Sequence, residues 1–162
     1  MSEKTKTMTR CALVGAMYVV LTLLSNVLGL ASGAVQLRVS EALCVLPSFS
    51  PVTSWGLFVG CIISNLITGC NVFDIIFGSL ATLIAGLVTA KIKNKYLAPI
   101  PTVVANTIVV PLVIIFTYTK DLSASAYFIT LLGVFAGEVL SAYVLGIILY
   151  GALKKKSDIL FK

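Results

Sequence analysis

Residues 11–30 read CALVGAMYVVLTLLSNVLGL, a run of 20 residues without a charge. At about 1.5 Å per residue a helix of that length crosses about 30 Å of hydrocarbon, so the run is read as a transmembrane span. The residues before it, MSEKTKTMTR, resemble the charged start of a signal peptide, with Ala31, Ser32 and Gly33 as a cleavage site. The run is longer than a signal core and the rest of the chain is equally apolar, so it is expected to stay as the first span.

Outward from this run the pattern repeats. Hydrophobic residues make up 59% of the 162 positions and charged residues 11%, a balance that a single soluble domain of this length cannot bury and a bilayer can solvate. Further spans are expected at residues 41–50, 52–68, 73–90, 100–117 and 126–153, in one membrane domain of residues 1–162. The second is too short to cross alone and ends at Pro47, Ser48 and Pro51, so it is expected to be a short, partly embedded helix with Ser40 as its N-cap. Pro111 is expected to kink the fifth.

The basic residues set the orientation. Lys4, Lys6 and Arg10 precede the first span, Lys91, Lys93 and Lys95 separate the fourth from the fifth, and Lys154, Lys155, Lys156 and Lys162 follow the sixth; only Arg38 and Lys120 lie elsewhere. Ten basic residues in three clusters against two are what the positive-inside rule expects of cytoplasmic segments. An even number of crossings must separate clusters on one side, so the short second helix counts as a crossing. The expected fold is therefore an all-α integral membrane protein with six transmembrane helices, the second one short, and both termini cytoplasmic. The same placement argues against nucleic acid as a partner, because no basic stripe lines a groove.

With no His, no HExxH, no Walker motif and no nucleophile–base pair, the sequence is not that of an enzyme, and no cofactor or metal is expected in this chain. Cys11, Cys44, Cys61 and Cys70 lack CxxC spacing and are read as packing residues.

Glu138 carries the most information. It sits near the middle of the sixth span without a basic residue within two turns, where a carboxylate costs about 2.5–3.5 kcal/mol and therefore needs a compensating partner. A ligand contact in a polar cavity is one reading, a structural hydrogen-bonding knot the other. Asp74, at the outer boundary, reads equally as a helix cap and as a ligand contact. Arg38 and Glu41, three apart, suit a local salt bridge. With Gln36, Ser40 and Asn71 these groups gather in the half where an external ligand arrives. Ser64, Asn65, Ser79, Thr82 and Asn106 are read as interhelical hydrogen bonds. Trp55, Tyr118, Tyr127 and Phe128 suit interfacial belts, whereas Phe77 and Phe135 offer stacking faces for a planar ligand. Ala12 and Ala16, in an AxxxA pattern around Gly15, permit close helix approach, within the chain or to another subunit.

The runs QLRVSEALCVLPSFSP (residues 36–51), GLFVGCIISNLITG (56–69) and DIIFGSLATLIAG (74–86) resemble the QueT family of S components, the substrate-binding subunits of energy-coupling factor (ECF) transporters, and the likeness covers most of the chain. The resemblance implies a six-helix subunit of the bacterial cell membrane that joins an ECF coupling transmembrane protein and two ABC-type ATPases, with Ala12 and Ala16 at the coupling interface. It also implies uptake of a queuosine precursor, 7-aminomethyl-7-deazaguanine or a close relative. That deazaguanine base presents adjacent N–H and amino donors plus an ammonium. Glu138 is accordingly expected to accept from the ring edge and Glu41 or Asp74 to neutralise the cation, or these roles are exchanged, with Arg38, Gln36, Asn71 and Phe135 completing the substrate site. For a ligand of about 13 heavy atoms, nanomolar capture requires close to 1 kcal/mol per atom and thus near-complete enclosure, so residues 36–40 are expected to close over it. An S component for another vitamin-like substrate, a stand-alone secondary carrier and a ligand-free assembly factor are the alternatives.

Overall fold

A computed structural model describes residues 2–31, 36–119 and 123–155. Among them the chain forms six helical elements: α1 (Glu3–Val27), a 3₁₀ rod (Val39–Ser48), α2 (Thr53–Ile67), α3 (Asp74–Thr89), α4 (Ile100–Thr119) and α5 (Ala124–Lys154). Helices α1, α4 and α5 are long and apolar enough to cross a bilayer, while α2 and α3 are shorter. Helix α1 begins within the polar N-terminal segment, where Glu3 pairs with Lys6 at 2.7 Å. It ends before residue 30 because Gly29 adopts φ +70°, and the amides of Gly29 and Leu30 turn back to the carbonyls of Asn26 and Ser25.

The bundle is inverted relative to a soluble protein. Leu13, Val27, Ile84, Ile129, Leu132 and Ile148 are exposed, whereas Thr53, Ser64, Asn65, Thr82, Thr102, Asn106 and Ser141 are buried. Lipid solvates the first set, and all of the second but Thr102 make side-chain hydrogen bonds inside the bundle, as polar groups in hydrocarbon generally do.

A short helix is expected over residues 41–50, and it is the 3₁₀ rod Val39–Ser48. Nine of its ten residues are buried, so it runs through the centre of the bundle. At about 2 Å per residue it covers about 20 Å. It starts at Val39 behind Arg38, so Ser40 is not its cap; the Ser40 hydroxyl instead lies 2.8 Å from that of Thr22 on α1. Ser25 on α1 accepts from the Val39 amide at 3.0 Å and holds the first end. At the other end Lys93 donates to the Ser48 carbonyl at 2.6 Å. Tyr150 donates to the Lys93 carbonyl at 2.7 Å, and the Cys11 thiol donates to the Val52 carbonyl at 3.0 Å. The start of α1, the loop with Lys93 and the end of α5 thus meet at one end of the bundle. The other end is opened by the segment with Arg38.

Helices α1 and α2 approach backbone to backbone. A methyl group at Gly56 would lie 2.5 Å from the Cys11 carbonyl oxygen, and one at Gly60 would lie 2.8 Å from that of Gly15. The close contact inside the chain is therefore made by Gly15 with Gly56 and Gly60, a GxxxG pair. Ala12 and Ala16 face outward instead, into an apolar groove of about 780 Å³ shared with Trp55 and Val59. Helix α4 continues through Pro111 and widens into π turns at Ile115–Thr119, one turn after the missing N–H. The expected outer-loop residues 32–35 and 120–122, and Lys156 and Lys162, lie outside the described residues.

Candidate functional site

Two polar cavities lie at the Arg38 end. A vestibule of about 390 Å³ is lined by Thr22, Asn26, Gln36, Arg38, Thr68, Cys70, Asp74 and Tyr118, among others. Below it, a chamber of about 20 Å³ is lined by Gln36, Arg38, Glu41, Cys61, Thr82, Asn106, Val134 and Glu138, with Gly78 and Val110. Gln36, Arg38 and Val110 belong to both, and form the wall between them. The vestibule has the size of a small-molecule site, whereas the chamber holds about one water.

Glu138 is 6% exposed and anchors the chamber. Its Oε1 accepts from Asn106 Nδ2 of α4 at 3.0 Å, while its Oε2 is buried and has no partner among the described residues. Its orientation follows from the stripe Val134, Gly137, Glu138 and Ser141, spaced i, i+3, i+4 and i+7, which is the buried face of α5. Phe135 lies off that stripe, is 45% exposed and lines neither cavity. Gly137 is required by a close approach, because the Gln36 backbone carbonyl lies where a side chain would begin. This contact fixes the segment carrying Gln36 and Arg38 against α5, one residue from Glu138.

Glu41, on the first turn of the rod, is 2% exposed and already satisfied. Its Oε1 accepts from the Tyr18 hydroxyl and its Oε2 from the Cys44 thiol at 3.2 Å. The expected salt bridge to Arg38 is absent among the described residues, where Lys6–Glu3 is the ion pair. Arg38 is the N-cap, with extended φ −110° and ψ 104°, so it stands outside the rod's helical turns and lines both cavities. Asp74 lines the vestibule and accepts from Tyr118 at 2.9 Å through Oδ2, linking α3 to α4. The capping role considered for Asp74 falls to Asn71, whose Oδ1 accepts from the Phe73 amide at 3.0 Å. Asn71 is exposed, and its own amide donates to the Tyr118 hydroxyl at 3.0 Å.

The structure therefore brings together Glu138, Glu41, Arg38 and Gln36 at the chamber, and Asp74 with Arg38 and Gln36 at the vestibule. It does not bring in Phe135 or the side chain of Asn71. Phe77 stacks parallel to Phe73 at 6.2 Å on a separate apolar groove, so the aromatic ring lining the vestibule is that of Tyr118. Asn106, Cys61, Cys70 and Gly137 were not read as site residues from sequence. Asn106 was legible in part, since an amide inside an apolar span needs a partner, and here the partner is Glu138. Nothing in a lone thiol or glycine marked the others.

Apolar side chains on the outside, a buried carboxylate with a free oxygen and a vestibule reaching it from one end define a polytopic membrane protein with a small-molecule site. Among known proteins the chain is matched over residues 8–155 by the family model described as QueT transporter. It belongs to the QueT transporter family, a family of transporters and not of enzymes, and it is a multi-pass protein of the bacterial cell membrane. The queuosine precursor transporter QueT of Lactococcus lactis subsp. cremoris (strain MG1363) is 36% identical to it over 82 residues, 51% of this chain and 48% of that protein. The match thus spans about half the length of that curated relative. No solved structure matches the chain.

Proposed function

We propose that the chain is the substrate-binding membrane subunit of an ECF importer and captures a queuosine precursor, 7-aminomethyl-7-deazaguanine or a close relative, from outside the cell. The observation that carries this reading is the partnerless Oε2 of Glu138 at the floor of the polar cavities. A buried carboxylate oxygen costs several kcal/mol unless donors reach it, and the adjacent ring N–H and amino group of a deazaguanine supply two. Glu41 is an electrostatic neighbour with both oxygens engaged, so the ammonium of the ligand falls to Asp74 in the vestibule. The chamber is too small for the base, so binding requires the segment from Gln36 to Arg38 to move and then to close over the ligand.

The end of the bundle bearing Lys93 is cytoplasmic in this reading, together with both termini, and the vestibule faces outward. The groove with Ala12 and Ala16 is the surface for the ECF coupling transmembrane protein, through which two ABC-type ATPases supply the energy that this chain has no motif to bind. The test is calorimetric titration of the purified chain with 7-aminomethyl-7-deazaguanine, its nitrile precursor, queuine and guanine. Submicromolar binding of a deazaguanine is expected; binding of none of the four refutes the substrate.

A further inference from the structure

We propose that Arg38 is the residue by which the site recognises the ring carbonyl of its ligand, so that it selects a 6-oxo base through an acceptor while Glu138 holds the adjacent donors. This inference rests on the reading of Glu138 as the anchor of the base. Three observations lead to it. Arg38 lines both cavities, yet among the described residues its guanidinium makes no hydrogen bond and no ion pair. Glu41, the acid nearest in sequence, has both oxygens occupied by Tyr18 and Cys44. Glu138 lines the same small chamber and, among the described residues, keeps one oxygen unpartnered.

A guanidinium with free donors and a carboxylate with a free oxygen thus face one chamber without meeting within 4.0 Å. The group that satisfies both presents an acceptor beside a donor, and a lactam edge is such a group: a carbonyl oxygen, a ring N–H and, in guanine-type bases, an amino group in a row. Arginine donating to the 6-oxygen is the commonest specific contact to guanine in nucleic-acid recognition, normally shared with the ring nitrogen N7. A 7-deaza base has carbon at that position, so the 6-oxygen becomes the acceptor for the guanidinium. The extended backbone at Arg38 and the contact of Gln36 with Gly137 bring this side chain to the wall above Glu138.

The probe that separates the two residues is the 6-thio analogue of the deazaguanine ligand, which retains the ring N–H and the amino group for Glu138 and replaces the carbonyl oxygen by a poor acceptor. Affinities of the oxo and thio bases are measured on the wild-type chain, on Arg38→Met and on Arg38→Lys, with thermal unfolding to confirm that each is folded. The wild type is expected to favour the oxo base by about tenfold or more, and Arg38→Met to favour it by less than about twofold, with its oxo affinity reduced about 10- to 100-fold. Arg38→Lys, which keeps the charge but not the planar fork, is expected to fall between them and serves alone if Arg38→Met does not fold. If both variants retain the wild-type oxo-to-thio ratio, or if both bases weaken equally, Arg38 has no role in reading the carbonyl and the inference is overturned. If no deazaguanine binds the wild type, the substrate reading itself has failed, which is a separate result.

Discussion

Changing Glu138 to Gln removes one charge and one acceptor and leaves the shape of the chamber intact. The carboxylate accepts from Asn106 at 3.0 Å through Oε1, and the amide oxygen of glutamine can take over that bond. Its NH₂ group then occupies the position of Oε2, which has no partner among the described residues. A donor faces the ring N–H and amino donors of the ligand where a carboxyl oxygen stood. Disrupting one side of a buried, charge-assisted hydrogen-bonded pair costs about 2–5 kcal/mol. At about 1.4 kcal/mol per tenfold, that corresponds to a roughly 30- to 4,000-fold loss of affinity. Stability should move the other way or stay unchanged, because a buried acid lacking a full set of partners is relieved when its charge is removed. Calorimetric titration of wild type and Glu138→Gln, beside their thermal unfolding in the same detergent, reads both quantities. Affinity within threefold of wild type in a folded variant would refute the assignment, and a large loss of stability with binding intact would make Glu138 a structural knot.

Two other substitutions probe how the site is held. Gly137→Ala inserts a methyl group against the Gln36 carbonyl and should push the Gln36–Arg38 segment off α5, lowering ligand affinity by about tenfold at a stability cost of about 1–3 kcal/mol; unchanged affinity would show that this contact does not position the segment. Gly56→Ala drives a methyl group toward the Cys11 carbonyl and should destabilise the α1–α2 pair by about 1–3 kcal/mol in thermal unfolding, with ligand affinity unaffected once the chain is folded; full stability would contradict the close approach.

The long apolar runs were legible because the thickness of a bilayer sets the length of an apolar helix directly. The elements expected over residues 52–68, 73–90, 100–117 and 126–153 appear as Thr53–Ile67, Asp74–Thr89, Ile100–Thr119 and Ala124–Lys154. The rod was harder to read, since a 3₁₀ segment lacks the period of 3.6 and its burial on all sides depends on neighbours far along the chain. GLFVG held the sign of close packing against α1, but the AxxxA pattern in α1 drew attention to the face that points away. Glu138 was legible because an acid in hydrocarbon demands an explanation. Its partner Asn106, 32 positions away, and the free oxygen beside it required the fold. The separation of Arg38 from Glu41 was missed because spacing alone assumes a helix, and Arg38 stands just outside one in extended conformation.

Every part of the proposed function depends on which way the bundle faces, and native thiols report it. Cys70 lines the vestibule and is partly exposed, Cys44 and Cys61 are buried, and Cys11 lies at the opposite end, so a Cys11→Ser chain leaves Cys70 as the accessible thiol. The decisive measurement is labelling of that chain in intact cells with a membrane-impermeant maleimide, with and without the deazaguanine. Prompt labelling that the base suppresses is the predicted result, whereas a thiol that reacts only after the cells are permeabilised would put the vestibule inside the cell and contradict capture from outside.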